Sequence, residues 1–214
     1  MLNPAHDYGR IMADYAAALK TLAAAGLTYP CFCTRKQIAR EIAAAPSAPH
    51  GPDGALYPGT CRGLSVSERE DRIASGAAYA TRLDSGPAVA QVPPGLEWHD
   101  RQRGPQALQA GLHGDVVLAR KDTPTSYHLA VTVDDALQGI TLVTRGADLF
   151  AATHVHRLLQ ALLELPTPEY DHHPLLRDDA GVRLAKRDGA TSLAQWRGEG
   201  RNLAQLRQEL GFAP

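Results

Sequence analysis

Pro124-Thr125-Ser126-Tyr127-His128-Leu129-Ala130-Val131, followed by Asp134-Asp135, Gly139-Ile140-Thr141 and Arg145-Gly146-Ala147-Asp148-Leu149, is the ordered string from which the fold is read. Apolar spacing predicts a helix over 125–136, a buried strand over 140–144 and a helix over 149–163. Val116 to Ala119, just ahead, reads as another buried strand. Helices alternating with strands in this order predict parallel pairing and an open α/β sheet, where ligands gather at the carboxyl ends of the strands. Arg145 follows 140–144 and stands at such an end.

Toward the amino terminus, Tyr8, Ile11, Tyr15, Leu19 and Leu22 recur at three- and four-residue spacing between His6 and Ala25, and Gly26 follows as a stop. Leu27 to Thr34 is short, aromatic and cysteine-containing, so the cysteines are expected at a turn before a helix over 35–45. Pro46, Pro49, Gly51, Pro52, Gly54 and Pro58 make 46–58 a loop. Ser67 with Glu70 three residues later resembles a capping box, which would open a helix running to about Ser75, and 78–83 alternates as a strand. Between Pro87 and Gly111, residues 89–92 and 97–99 are candidate short strands. Beyond Tyr170 come an apolar patch, a turn at 178–181, a polar loop and a last helix over 202–210.

The chain has 214 residues, 44% of them hydrophobic and 21% charged, enough for a globular core and too few polar residues for disorder. No apolar stretch has bilayer-crossing length, and residues 1–7 carry no signal-peptide pattern, so a cytoplasmic location is expected. The formal charge of −1 supplies no general attraction for nucleic acid; such a partner would need a local basic patch. Dinucleotide, P-loop, zincin and serine-hydrolase signatures are absent.

Cys31, Cys33 and Cys61 are too few and too close for a disulfide framework. Three thiolates suit tetrahedral Zn2+, and a metal that closes the loop between them offsets chain entropy. Tyr57, four residues before Cys61, is a candidate fourth ligand; His50 and Asp53 in the same loop are alternatives with better donor chemistry. Three reduced cysteines packed as small hydrophobes is the competing reading. His154 and His156, two apart on a helix, point to nearly opposite sides, so one buried and one exposed histidine is expected rather than a metal site with His172 and His173. Asp134 and Asp135 are read as local caps or surface charges.

The string at 124–149 resembles the second half of the catalytic domain of class I glutamyl-tRNA synthetases. Cys31-x-Cys33-Thr34-Arg35 with Tyr57-x-x-x-Cys61-Arg62 narrows the resemblance to the truncated paralogues, the glutamyl-Q tRNA(Asp) synthetases, over about 6–190. Arg183-Leu184-Ala185-Lys186-Arg187, placed after Tyr170-x-His172 and Pro174-Leu175, looks like a degenerate K-M-S-K-S loop in which Lys186 is matched.

The resemblance implies an incomplete Rossmann-like catalytic domain: residues 1–26 as one of its helices, 27–75 as a zinc-bearing segment, and 76–214 as its second half. It implies a monomer that activates glutamate with ATP, with Mg2+, and transfers the glutamyl group to queuosine in the anticodon of tRNA(Asp). A structural zinc on Cys31, Cys33, Tyr57 and Cys61, glutamate on Tyr127 and Arg145, and ATP on a catalytic Lys186 follow from the same likeness. A bidentate guanidinium suits a dicarboxylate substrate, and a lysine on a loop can stabilise departing pyrophosphate. Arg187 to Pro214 is too short for an anticodon-binding domain. The family opens with a strand, an H-I-G-H-like loop and an acidic residue that nothing before His6 supplies, which implies an N-terminal truncation without complete catalysis. The alternatives are a fragment of an ordinary glutamyl-tRNA synthetase and a non-catalytic zinc- and tRNA-binding remnant.

Overall fold

The computed structural model describes residues 8–44, 50–52, 54–109, 111–177, 181, 183–184, 192–200 and 202–209. The chain divides into two compact units, Met1–Arg145 with Leu149–His172, and Gly146–Asp148 with His173–Pro214.

In the first unit the helix α1 (Tyr8–Ala24) follows the apolar spacing of its sequence and buries Tyr15 and Leu22. It ends where Gly26 takes φ +72°, a conformation costly for any residue with a Cβ; Leu27 N–H then reaches Leu22 O at 3.0 Å and Gly26 N–H reaches Ala23 O at 3.0 Å. β1 (Thr28–Cys31) follows, so Cys31 closes a strand and only Cys33 lies in the turn expected for both. The helix α2 (Arg35–Ala44) and the two-residue strands β2 (His50–Gly51) and β3 (Gly54–Ala55) come next.

The helix α3 (Val66–Ala74) carries the anticipated capping box two residues earlier than expected. Ser65 Oγ accepts from Glu68 N–H at 3.2 Å, and Glu68 Oε2 accepts from Ser65 N–H at 2.7 Å. Both Ser65–Glu68 and Ser67–Glu70 satisfy the motif; the first is used because the chain turns helical at Val66.

β4 (Ala80–Leu83) lies between β1 and β7 (Val117–Ala119) in a three-stranded sheet in which both pairings are antiparallel. A second sheet has the order β6-β5-β9-β8, with β5 (Glu97–Asp100), β6 (Gly104–Ala107), β8 (Leu142–Gly146) and β9 (Glu169–His173). Here β5 and β9 are parallel, through Asp100 and Tyr170. The strands at 117–119 and 142–146 therefore do not share the single parallel sheet expected from their alternation with helices. The first pairs with β4, the second lies at the edge of a mixed sheet and is half-exposed rather than buried, and Arg145 falls within it. Residues 89–92, one of the two candidate strands, belong instead mostly to the helix α4 (Ser85–Gln91), whereas 97–99 is indeed β-structure.

The helices α5 (Tyr127–Leu137), capped by Ser126, and α6 (Ala152–Leu162), preceded by a 3-10 turn at Ala147–Leu149, pack against each other. The main core joins Tyr15, Leu22, Leu27, Leu83, Leu118, Leu129, Val133, Val155, Leu158 and Leu159. A separate small cluster holds Tyr29, Cys31 and Cys61, with Phe32, Cys33, Tyr57 and Leu64 against it.

In the second unit Arg177 and Arg183 form an isolated antiparallel bridge, and Arg183 pairs with Asp148 at 2.7 Å. The helices α7 (Leu193–Gly198) and α8 (Leu203–Glu209) follow. The turn expected at 178–181 lies, apart from Gly181, outside the described residues, as does Lys186.

Candidate active site and metal centre

Alternation in β1 turns Tyr29 and Cys31 to the same buried face, and the next turn brings Cys33 back beside them. The ligand atoms of Cys31, Cys33 and Cys61 all lie within 4.8 Å of one another, with Cys33 Sγ and Cys61 Sγ 3.4 Å apart. Tyr57 Oη is 3.4 Å from Cys31 Sγ and 3.6 Å from Cys33 Sγ, and it accepts from Cys61 N–H at 2.9 Å. Zn–S bonds of about 2.3 Å at tetrahedral angles put sulfurs about 3.8 Å apart, so the three thiols fit one Zn2+. Tyr57 places a fourth group, a phenol oxygen, beside the three sulfurs. His50 is exposed on β2 and is not among the clustered groups; Asp53 lies outside the described residues.

Burial, then the neighbouring Cys61 and Cys31 sulfurs, push the Cys33 thiol up to about 11, against the opposing hydrogen bond from Tyr57. Burial also raises Cys61, but hydrogen bonds from Tyr57, the Phe32 amide and Cys33 outweigh it and hold that thiol below its usual range. The Arg82 guanidinium sits over the Tyr57 ring, 3.9 Å from its centroid. Arg82 is fixed by donating to Asp115 O at 2.7 Å. Asp115, itself buried, accepts from Tyr29 Oη at 2.5 Å and from Ser85 Oγ at 2.7 Å, and pairs with Arg62 at 3.0 Å.

The cysteine cluster borders a cleft of about 860 Å³, lined on one side by Cys33 and Tyr57 and on another by Ser126, Tyr127 and His128 at the start of α5. Tyr127 is 45% exposed, and its ring contacts those of His128 and His156 at 5.8 and 5.7 Å. Arg145 is not among the residues lining this cleft; it is half-buried behind His156.

Arg145 Nε donates to His172 Nε2 at 3.1 Å, Nη1 is 3.1 Å from His156 Nδ1, and Nη2 donates to Thr153 Oγ1. Its guanidinium also lies over the Tyr170 ring, 5.1 Å from the centroid. None of the three partners is a carboxylate. Among the described residues no carboxylate lies within ion-pair distance of Arg145. Asp135 is near enough to feel the charge of Arg145 but not to pair with it, and a guanidinium drawn into a protein with no carboxylate in contact is costly unless an anion completes it, so the arrangement suits a carboxylate or phosphate ligand.

His172 Nδ1 is 2.5 Å from Asp100 Oδ2, with both side chains fully buried. Asp100 Oδ1 accepts from the Gln102 and Arg103 amides at 3.0 Å each. Burial would raise the Asp100 carboxyl, but the hydrogen bond from His172 and those two amides outweigh it and hold it below the usual carboxylate range. Burial holds His172 and His156 below the usual imidazole range; Arg145 pushes both the same way, and for His172 the hydrogen bond to Asp100 opposes.

His154 and His156 do point to opposite sides of α6, but both are 2% exposed, which corrects the expected buried and exposed pair. Elements cover both sides of this helix. His154 Nδ1 accepts from Trp98 Nε1 and from the Gln109 amide, each at 3.2 Å. The two aspartates are not surface charges or caps either: both carboxylate oxygens of Asp134 accept from Tyr15 Oη at 2.8 Å, tying α5 to α1, and Asp135 is half-buried. Burial, with Asp134 beside it, raises Asp135 against the opposing charge of Arg145.

The structure thus brings Cys31, Cys33, Tyr57 and Cys61 together, places Tyr127 across the same cleft, and sets Arg145 one imidazole away. Sequence reasoning leaves Asp100 unremarked and takes His156 and His172 only as histidines without a metal role. Their signal is a polar residue at a buried position of a strand or helix: Trp98 and Asp100 in β5, Tyr170 and His172 in β9.

The chain belongs to the family of class I tRNA synthetases (E and Q), catalytic domain, whose model matches residues 5–211. Within that family it is 45% identical over 208 residues to the glutamyl-Q tRNA(Asp) synthetase of Rhodobacter capsulatus, covering 92% of this chain and 72% of that protein. It is 47% identical to the protein of the same name from Nocardia farcinica, over 94% of this chain and 61% of the relative. Against that of Deinococcus radiodurans the identity is 44%, over 92% and 62%. The chain therefore spans between three-fifths and three-quarters of these relatives. Its fold matches that of a glutamate tRNA ligase from Elizabethkingia meningosepticum, solved in complex with its amino acid, with a TM-score of 0.67 at 22% identity over 87% of this chain and 38% of that one.

Proposed function

We propose that this chain serves the reaction of its glutamyl-Q tRNA(Asp) synthetase relatives: ATP-dependent activation of glutamate and its transfer to queuosine in the anticodon of tRNA(Asp). The observation that carries the reading is Arg145, a half-buried cation held by His172, His156 and Thr153 and lacking a carboxylate partner among the described residues. A substrate carboxylate supplies the missing charge through the two N–H bonds per face that a guanidinium offers. Tyr127, exposed at the cleft and in ring contact with His156, is assigned a hydroxyl contact to the same substrate.

In the activation step a glutamate carboxylate oxygen attacks the α-phosphorus of ATP, and the bond to the departing pyrophosphate breaks. Lys186 is assigned to that leaving charge by its place in the sequence motif, with Mg2+ accompanying ATP. Cys31, Cys33, Cys61 and Tyr57 would hold Zn2+, whose contribution is structural: it ties β1 to the segment around Cys61.

Calorimetric titration of the chain with glutamate tests the reading. Arg145→Lys replaces a planar fork with a point charge and should weaken glutamate binding by about tenfold or more. The chain should also retain queuosine-containing tRNA(Asp) better than the same tRNA lacking queuosine. Unchanged glutamate affinity in Arg145→Lys would overturn the role of Arg145, and equal retention of the two tRNAs would overturn the base specificity.

A further inference from the structure

We propose that Asp100, His172 and His156 are positioning residues that lock Arg145 in one orientation by fixing which nitrogen of each imidazole carries a proton, leaving the guanidinium charge open to an anionic substrate group. The inference rests on the substrate role given to Arg145 above and adds how that role is built.

A guanidinium has only donors. His172 Nε2, which receives Arg145 Nε–H at 3.1 Å, and His156 Nδ1, 3.1 Å from Nη1, must therefore both present lone pairs. Each ring is then neutral, with its proton on the far nitrogen. For His172 the far nitrogen is Nδ1, 2.5 Å from Asp100 Oδ2. The Gln102 and Arg103 amides donate to Asp100 Oδ1; with these bonds and that to His172 holding its carboxyl below the usual range, Asp100 is ionised and accepts on Oδ2 as well. It thus holds the His172 proton on Nδ1 and the lone pair on Nε2. For His156 the far nitrogen is Nε2, 3.1 Å from His128 Nδ1, which accepts.

The arrangement also settles the charge. Asp100 placed directly against Arg145 would neutralise it and compete with a carboxylate ligand. With a neutral ring between them, the carboxylate orients the guanidinium without pairing with it. Thr153, one turn of α6 before Arg157, adds a third neutral acceptor, so orientation is fixed at three nitrogens with no counter-charge in contact.

Asp100→Asn is the discriminating change. A carboxamide can turn its N–H₂ toward His172 Nδ1, which makes that nitrogen the acceptor, moves the ring proton to Nε2 and sets it against Arg145 Nε–H. The histidines are labelled with 15N in the ligand-free chain, and His172 is assigned by the loss of its signals in His172→Gln. The wild type should show the Nδ1–H tautomer and Asp100→Asn the Nε2–H tautomer, with near-ultraviolet circular dichroism preserved. Glutamate affinity, read calorimetrically, should fall by about tenfold or more in Asp100→Asn.

An Nε2–H tautomer or a charged ring at His172 in the wild type would overturn the proposal whether or not Asp100→Asn folds. Undiminished glutamate affinity in a folded Asp100→Asn with the switched tautomer would overturn the positioning role. The expected tautomers with no glutamate binding by the wild type would instead leave the lock in place and refute the substrate assigned to Arg145.

Discussion

Tyr57 places its hydroxyl within reach of two sulfurs and the Cys61 amide, while Arg82 covers its ring. Apart from the Cys61 amide, four residues on, these contacts depend on residues far away in sequence, Arg82 being held by Asp115. If the cluster holds Zn2+, the purified chain should carry about one ion, measured by atomic emission. Cys33→Ser and Cys61→Ser should each lose most of it, because a missing thiolate opens the coordination shell. Tyr57→Phe should speed release to a chelator, whereas His50→Ala, at an exposed strand residue, should leave release unchanged. Full occupancy in both cysteine variants would favour the reading of three thiols packed as small hydrophobes. The three cysteines and Tyr57 were legible from their order alone. Asp100 and His172 were not, because 72 residues separate them and only the parallel pairing of β5 with β9 sets them side by side.

Among the elements, α3 shows how local signals compete. Two overlapping S-x-x-E frames are present, and the one at Ser65 is used. Ser65→Ala should therefore destabilise α3 by about 1 kcal/mol, while Ser67→Ala should change it by less than about 0.5 kcal/mol. Amide hydrogen exchange within α3 measures both, and a larger effect from Ser67→Ala would place the cap wrongly. The long helices were legible because their apolar spacing matches the helical repeat and a glycine or capping residue ends them, as Gly26 does for α1 and Ser126 for α5. The strands β4, β5, β7 and β8 were legible as strands but not as neighbours, and β1, β2, β3, β6 and β9 were not legible at all, since they are short or lack alternating apolar residues. Val117–Ala119 pairs antiparallel with β4, a relation its own three residues do not encode.

For the whole molecule, the buried histidines set a pH dependence. Burial depresses His154, His156 and His172, each from an ordinary value of 6.5. The unfolded chain takes up these protons near that value and the folded chain does not, so unfolding binds protons and stability falls as pH drops below about 6.5. Above that range the three groups contribute no further change. Each contributes a slope of up to about 1.4 kcal/mol per pH unit between its unfolded and folded values. Asp135, raised by burial, works in the opposite direction but only nearer the carboxylate range, and Asp100 loses its stabilising effect only below the usual carboxylate value. Urea unfolding midpoints should therefore decline from pH 7.5 to 5.5, and His156→Gln should flatten the decline. An equal decline in that variant would assign the effect elsewhere.

By itself the sequence determined the helices α1, α2, α3, α5, α6 and α8, the strands β4, β5, β7 and β8, the metal-binding candidates and the family, because periodicity, caps and ordered motifs are properties of neighbouring residues. Tertiary structure decided the antiparallel and mixed sheets, the burial of both histidines of α6 and the neutral ring between Asp100 and Arg145. These follow from which strand edges meet and which helix faces are covered. Hydrogen bonding and burial between distant segments choose them through free-energy differences that no short stretch of chain contains.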